Sequence, residues 1–362
     1  PLPALKNLIT IFMKKVVMFV TICLLLGIAL AYFPYFISQN RSLHNNGFTR
    51  LFPPHVLNDP RTFDLKFNSY YIAGYSRSHL FLANVVAPTY ILSIDKDLKD
   101  TIAYRAQIPR NNRCVTTALQ VTVDSPDVYM AEGISPAILR GKLPELHMAF
   151  NNVHNINYFS SSVALPNSTF VLKTYDTIKR NSLFTRLMLD SPYANSFPNI
   201  LEKQLDGFFC TDGMLKLDAE YRKLVYIYFY RNEFIVMDTA LNILYKARTI
   251  DTTSTVKIKV SSYGSDKFNT TTFSEPPVYV NKEGCASGDW LFINSALCAN
   301  NEDRDVFNSS SVIDVYSLKD GSYKFSFYLP DYEHKKMSSF RVIDNSLYVI
   351  QNHYIVKYRL KM

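Results

Sequence analysis

Glycine is scarce in this chain, with 11 residues in 362, where a usual share would supply about 25. Few turns can therefore rely on glycine. Asparagine is the expected substitute, in the pairs Asn45-Asn46, Asn111-Asn112, Asn151-Asn152 and Asn300-Asn301, because it tolerates the left-handed conformation better than most residues. Tryptophan is almost absent, with Trp290 the single copy. Acidic residues are missing from residues 1–50, which hold five basic ones: Lys6, Lys14, Lys15, Arg41 and Arg50. Removing those five from the 39 basic residues leaves 34 against 31 acidic, a net of +3 for the remainder. That balance, with no dense Lys/Arg run after residue 50, makes no phosphate-binding stripe and excludes a nucleic-acid partner.

The usual local signatures of chemistry are missing too. There is no HExxH, no GxSxG elbow, no Walker loop, no GxGxxG and no CxxC, so the common hydrolase, nucleotide and zinc-ribbon motifs are not represented. Gly74-Tyr75-Ser76-Arg77-Ser78 lacks the second glycine of a nucleophile elbow. Seven histidines are scattered, and His147 with His154 is the one pair that adjacent strands could bring together around a metal. The acidic stretches Asp212–Glu220 and Glu302–Asp305 lack calcium-loop spacing and read as solvated turns. No cofactor is expected.

One hydrophobic run is long. Residues 16–38 (VVMFVTICLLLGIALAYFPYFIS) carry no charge, and about 20 apolar residues in a helix cross a bilayer core. Lys14 and Lys15 precede the run, which places the larger C-terminal part outside the cytoplasm by the positive-inside rule. Met13-Lys14-Lys15 looks like a translation start, and residues 1–15 read as a cytoplasmic extension. Ala29-Leu30-Ala31 offers a signal-peptidase site, so cleavage near Ala31 and secretion is the alternative. Continued apolar character through Tyr32, Phe33, Phe36 and Ile37 favours a retained transmembrane anchor.

What is abundant is aromatic: 25 Tyr and 25 Phe, which suit a pleated, half-buried surface. Residues 39–62, with Pro53, Pro54 and Pro60, read as a linker or wrapping segment leading away from the membrane. From residue 63 to 362 the chain alternates short β runs with Asn, Asp, Pro and Ser, as in Ser69–Ala73, Leu80–Ala83, Tyr90–Ile94, Val128–Ala131, Leu224–Tyr230 and Leu347–Ile350. Leu183–Leu189 and Ile200–Leu205 are the two segments expected to be short helices or helical turns.

A weak repeat underlies these runs. HLFLANVVAP at 79–88 matches DVYMAEGISP at 127–136, and an aromatic residue in a strand recurs at Phe81, Tyr129, Phe170, Tyr226, Phe292 and Tyr348. The mean step of about 53 residues is that of a four-stranded blade with its loops. The expected fold is therefore all-β, a six-bladed β-propeller following an N-terminal transmembrane helix, with a large β-sandwich as the alternative. Thr62–Phe67 would close the ring beside the terminal hairpin Leu347–Leu360, and a loop insertion is expected around residues 262–284.

Two candidate features follow. Cys285 and Cys298 bracket a short loop, and in an oxidising compartment they could form a disulfide or remain buried thiols; Cys114 and Cys210 could pair only if the fold joins them. Tyr226, Tyr228 and Tyr230 alternate, so they project to one face, either as a ligand-stacking platform or as a packing face between blades.

The chain resembles the TolB-like six-bladed propeller proteins of Gram-negative envelopes, including membrane-anchored members of that group. The resemblance rests on MKKVVMFV, on Phe52–His55 (FPPH), on Phe63–Gly74 (FDLKFNSYYIAG), and on Tyr129–Gly133 with Leu139–Gly141. It implies an inner-membrane anchor, a domain in the periplasm and an envelope scaffold that binds a protein or small molecule, with no catalytic residues to carry over. The alternative is a propeller-fold enzyme of hydrolase, lyase or sugar dehydrogenase type, with a site assembled at the central channel. A third reading is an accessory subunit of a membrane complex.

Overall fold

The computed structural model describes residues 13–30, 32, 46–109, 116–151, 153, 156–190, 193–218, 220, 222–265 and 268–362. Two compact units divide the chain, residues 1–46 and 47–362. In the first, helix α1 (Met13–Leu30) has 18 residues and is apolar enough to cross a membrane. Its apolar side chains are exposed all round, and Thr21 Oγ1 donates to the Val17 carbonyl at 2.9 Å, inside the helix.

The second unit is built from four-stranded antiparallel meanders. Sheet one is β2 (Tyr70–Tyr75), β3 (His79–Asn84), β4 (Tyr90–Asp95) and β5 (Thr101–Arg105). Sheet two is β6 (Gln120–Asp124), β7 (Asp127–Glu132), β8 (Ala137–Lys142) and β9 (Ala149–Asn151). Sheet three is β10 (Phe159–Leu165), β11 (Thr169–Asp176), β12 (Asn181–Met188) and β13 (Tyr193–Phe197). Sheet four is β14 (Gly213–Asp218), β15 (Lys223–Tyr228), β16 (Glu233–Asp238) and β17 (Ile243–Arg248). Sheet five is β20 (Asn281–Ser287), β21 (Trp290–Ser295), β22 (Ser310–Ser317) and β23 (Tyr323–Pro330), and a hairpin, β18 (Val260–Ser265) with β19 (Phe268–Phe273), precedes it. Sheet six is β24 (Met337–Ile343), β25 (Ser346–Gln351) and β26 (Tyr354–Leu360), completed by the first strand of the unit, β1 (Leu57–Asp64).

The first strands of the meanders form a closed ring. β2 touches β6, β6 touches β10, β10 touches β14, β14 touches β20, β20 touches β24, and β24 returns to β2. The core follows the same plan, because one apolar cluster fills each of the six sheet-to-sheet interfaces. A sandwich would have a single core between two layers. Six interfacial cores in a ring define a β-propeller, which leaves only short edges to protect.

Each recurring aromatic falls in the second strand of its sheet: Phe81 in β3, Tyr129 in β7, Phe170 in β11, Tyr226 in β15, Phe292 in β21 and Tyr348 in β25. All six are buried between sheets. The insertion expected near 262–284 is the β18–β19 hairpin. The ring closes where Phe63 pairs with Ile355 and Thr62 with Val356.

Three readings of the sequence are corrected. Leu183–Leu189 is not helical but belongs mostly to β12; its strand has neighbouring sheets on both sides, so Leu183, Phe184, Thr185 and Leu187 are all buried and alternation disappears. Ile200–Leu205 is a bend, not a helix. Asn151, Asn300 and Asn301 do not adopt left-handed φ; Asn167 (φ 60°) and Asn352 (φ 57°) do, beside Leu98, Asp344 and others. The pairs at 45 and 111–112 lie outside the described residues, except Asn46.

Glycine is used instead where sheets meet most closely. Gly74 in β2 pairs with Val123 in β6, in a parallel bridge between sheets one and two. A Cβ at Gly74 would lie 2.0 Å from the Val123 carbonyl oxygen. At Gly133 it would lie 1.8 Å from the Phe159 carbonyl oxygen of sheet three.

The segment before β1 is structured from Gly47. Residues 47–56 run as a strap over sheet five before entering β1. The Phe48 carbonyl accepts from Asn300 N–H at 2.9 Å and the Leu51 carbonyl from Ser326 N–H at 2.7 Å. Phe52 stacks on Tyr328 with centroids 4.5 Å apart. Arg50 holds the strap: Nε and Nη2 donate to the two oxygens of Asp314 at 2.7 and 3.0 Å, and Nη1 donates to the Leu297 carbonyl at 2.9 Å and to Glu302. Burial works against the guanidinium charge, but the Asp314 and Glu302 carboxylates outweigh it and raise its pKa.

Candidate functional site: the central channel

Innermost strands of a propeller present small and polar side chains to the axis, and here they enclose a cavity of about 600 Å³. All six first strands contribute to its wall. Much of the lining is Ser, Thr, Ala, Val and Leu. Three charged side chains stand out among the described lining residues: Lys216 on β14, Glu283 on β20 and Arg341 on β24. Two cations and one anion give the channel a net charge of +1.

Those charges are not equivalent. Lys216 Nζ pairs with Glu283 across the junction of sheets four and five, and each side chain is about a quarter exposed. Glu283 Oε1 also accepts from the Gly284 N–H at 2.9 Å. Arg341 makes no ion pair among the described residues; its guanidinium faces the Tyr75 ring at 5.8 Å. Burial pushes the Tyr75 hydroxyl up, with Arg341 acting in the opposite direction. Ser338 and Ser339 share the Arg341 strand and the cavity, and the Ser338 hydroxyl donates to the Ile350 carbonyl at 3.2 Å. A planar guanidinium without a carboxylate partner, beside hydroxyls, is an acceptor site for carboxylate or phosphate oxygens.

The tyrosine row is packing. Tyr226 and Tyr228 are fully buried in the interface of sheets three and four, with ring centroids 5.1 Å apart and edge to face. Tyr226 OH donates to the Thr211 carbonyl at 2.6 Å, and burial pushes both hydroxyls far up. Tyr230 lies past the end of β15 and joins a separate cluster with Cys210, Val256 and Ile258. The buried Arg231 guanidinium sits 3.6 Å from the Tyr228 ring centroid. No face of the row is open to a ligand.

Cys285 is a buried free thiol and is not bridged to Cys298. Cys285 pairs with Phe292 in the β20–β21 ladder, and its sulfur accepts from the Val342 N–H of sheet six at 3.3 Å. Ser295, where β21 ends, is about 10 Å beyond Phe292 at strand rise, and Cys298 follows it in the chain. A bridge needs Cα atoms within about 7 Å. Cys210 is also free and buried, while Cys114 lies outside the described residues, as does His154. Buried Lys173 of β11 reaches Asp212 at 2.8 Å; burial lowers its pKa, with Asp212 opposing. No group of three metal-ligating side chains occurs among the described residues.

Sequence reading missed Lys216, Glu283 and Arg341. Lys216 shares its strand with Asp218 and Glu283 with Lys282, while Arg341 stands alone in β24, so no common local pattern marks them and only the ring brings them to one axis.

No known sequence family matches the chain, and no curated protein is similar to it in sequence. Solved structures do resemble it. A member of the DUF4221 family from Bacteroides vulgatus superposes with a TM-score of 0.54 at 13% identity, covering 84% of this chain and 97% of that one. YCF48 bound to a D1 peptide gives a TM-score of 0.50 at 8% identity, covering 86% of this chain and all of that one (100%). Identities this low show the fold, a β-propeller, and nothing finer.

Proposed function

We propose that this chain is a membrane-anchored, extracytoplasmic binding module, a six-bladed propeller of TolB-like type, which holds the acidic group of a ligand in its central channel. The observation that carries the reading is Arg341, a cation lining the channel cavity that has no carboxylate partner among the described residues. Helix α1 and the preceding Lys14 and Lys15 support anchorage with the propeller on the far side of the membrane. The envelope resemblance of residues 52–74 supports a periplasmic setting. That YCF48, a protein of similar fold, was solved with a peptide supports protein or peptide ligands as one source of the acidic group. In the channel Glu283 is engaged by Lys216 and a backbone N–H, an arrangement suited to shaping the wall more than to proton transfer.

A thermal-shift titration of the full chain with acetate, succinate, citrate and inorganic phosphate tests this. At least one anion is expected to stabilise the wild type, by about 2.7 kcal/mol at a hundredfold excess over its dissociation constant. Arg341→Gln should lose that shift while keeping its unliganded melting temperature. No shift across the series, or equal shifts in both proteins, would overturn the reading.

A further inference from the structure

We infer that one end of the propeller is a membrane-docking surface that rests on lipid. The inference builds on the proposed anchor. In each meander, the links from first to second and third to fourth strand fall at one end of the ring. The links from second to third strand, and from one sheet to the next, fall at the other. This second end is apolar. Val86 (79% exposed) lies between β3 and β4, Ile134 between β7 and β8, and Ile178 (92% exposed) between β11 and β12. Phe67 lies between sheets six and one, Leu205 between three and four, and Val278 between four and five, all exposed.

The opposite end has a different character. Its turns also contain leucines, but Leu98, Leu146, Leu241 and Leu318 are turned inward and buried. Among the described residues, no large apolar side chain in those turns is exposed. Of the remaining exposed apolar groups, Ile102 lies on an outer strand, while Tyr193 and Ile243 open outer strands beside turns of the opposite end and Met362 follows β26 there, so that end is less apolar but not free of apolar groups.

Two further observations select lipid over a second copy or a protein. First, the chain enters the propeller at the apolar end. Gly47 abuts Thr252 and Phe48 bonds to Asn300, both in links at that end. Sixteen residues, 31–46, separate Leu30 from Gly47, and they can span no more than about 60 Å. The tether from a membrane helix therefore joins the ring at this end. Second, exposed apolar tips stand beside basic residues: Phe67 follows Lys66, which pairs with Asp64, and Ile178 precedes Lys179 and Arg180, against the one acid of that turn, Asp176. That pairing suits acyl chains below an anionic headgroup layer. Val85 also lines the channel, so docking sets that mouth against the headgroups and leaves the opposite end to solvent.

The test uses the full chain in vesicles of phosphatidylcholine and phosphatidylglycerol with brominated acyl chains. Tryptophan is introduced singly as Val86→Trp, Ile178→Trp and, at the opposite end, Ala240→Trp, with native Trp290 as a constant background. The vesicles are floated first. Bromine quenching at positions 86 and 178 is expected to exceed that at 240 by roughly threefold. If the protein floats but the three positions quench alike, the docking surface is refuted while the anchor stands. If it does not float, the anchor fails and the inference with it. Quenching at neither tip together with a dimer that Ile178→Asp dissociates would assign the surface to a second copy and overturn the lipid assignment.

Discussion

Arg50→Met is expected to destabilise the propeller by about 3–5 kcal/mol, the largest effect of any single change considered. The side chains of Arg50 and Glu302 are fully buried, and that of Asp314 is 3% exposed. Removing the guanidinium strands two carboxylates in a dry site. Among the described residues, Asp314 would keep the Ser326 hydroxyl at 2.6 Å, and Glu302 the Ala299 N–H at 2.6 Å beside the Tyr328 hydroxyl. Asn301 would still clasp the backbone of residue 50, donating to its carbonyl at 2.8 Å, so the strap should loosen more than detach. Urea unfolding measures the loss. Combining Arg50→Met with Asp314→Leu should recover part of it, because the double variant no longer buries an unpaired aspartate. A single-variant loss under about 1 kcal/mol would show that the network is solvated and not a lock.

Gly74→Ala is expected to cost about 3 kcal/mol or more, since overpacking that cannot be relieved by a rotamer must move backbone. The new methyl would meet the Val123 carbonyl oxygen at 2.0 Å, with the Val123 Cβ at 3.1 Å. Sheets one and two would have to separate at the channel, which also thins the apolar cluster of Phe81, Val121 and Val128 between them. Thermal unfolding gives the result. A melting temperature unchanged within about 2 °C would mean that the two inner strands do not approach as described. Gly27→Ala is the matching control, because a Cβ there meets nothing within 4 Å.

The fold was largely legible in the chain, and particular residues explain why. An aromatic in every second strand survives as a repeat because each one is buried in a sheet-to-sheet interface, although Tyr129 and Phe170 share one and none of the six lies between sheets four and five. Closure was legible because the strand before the first sheet has no partner of its own other than β26. Segments buried on both faces misled: Leu183–Leu189 has no period-two signal to show. The tyrosine row was ambiguous for a related reason, since Tyr226 and Tyr228 have the same pattern whether a sheet or a ligand covers them.

The candidate site was not legible. Lys216 meets Glu283 across a separation of 67, and outside the channel the strap's Arg50 and Asp314 are 264 residues apart. Charges joined by ring closure leave no local spacing to read. The same holds for the apolar end, whose exposed residues come from links spread from Phe67 to Val278.

Everything above depends on β1 completing the sheet begun by β24–β26. Native-state hydrogen exchange tests this most directly. Amides of β1 from residues 61–64 are expected to exchange as slowly as those of β25 and β26, because all three strands open only when the ring opens. Rapid exchange along β1 beside protected β25 and β26 would contradict a closed ring and the channel that it encloses.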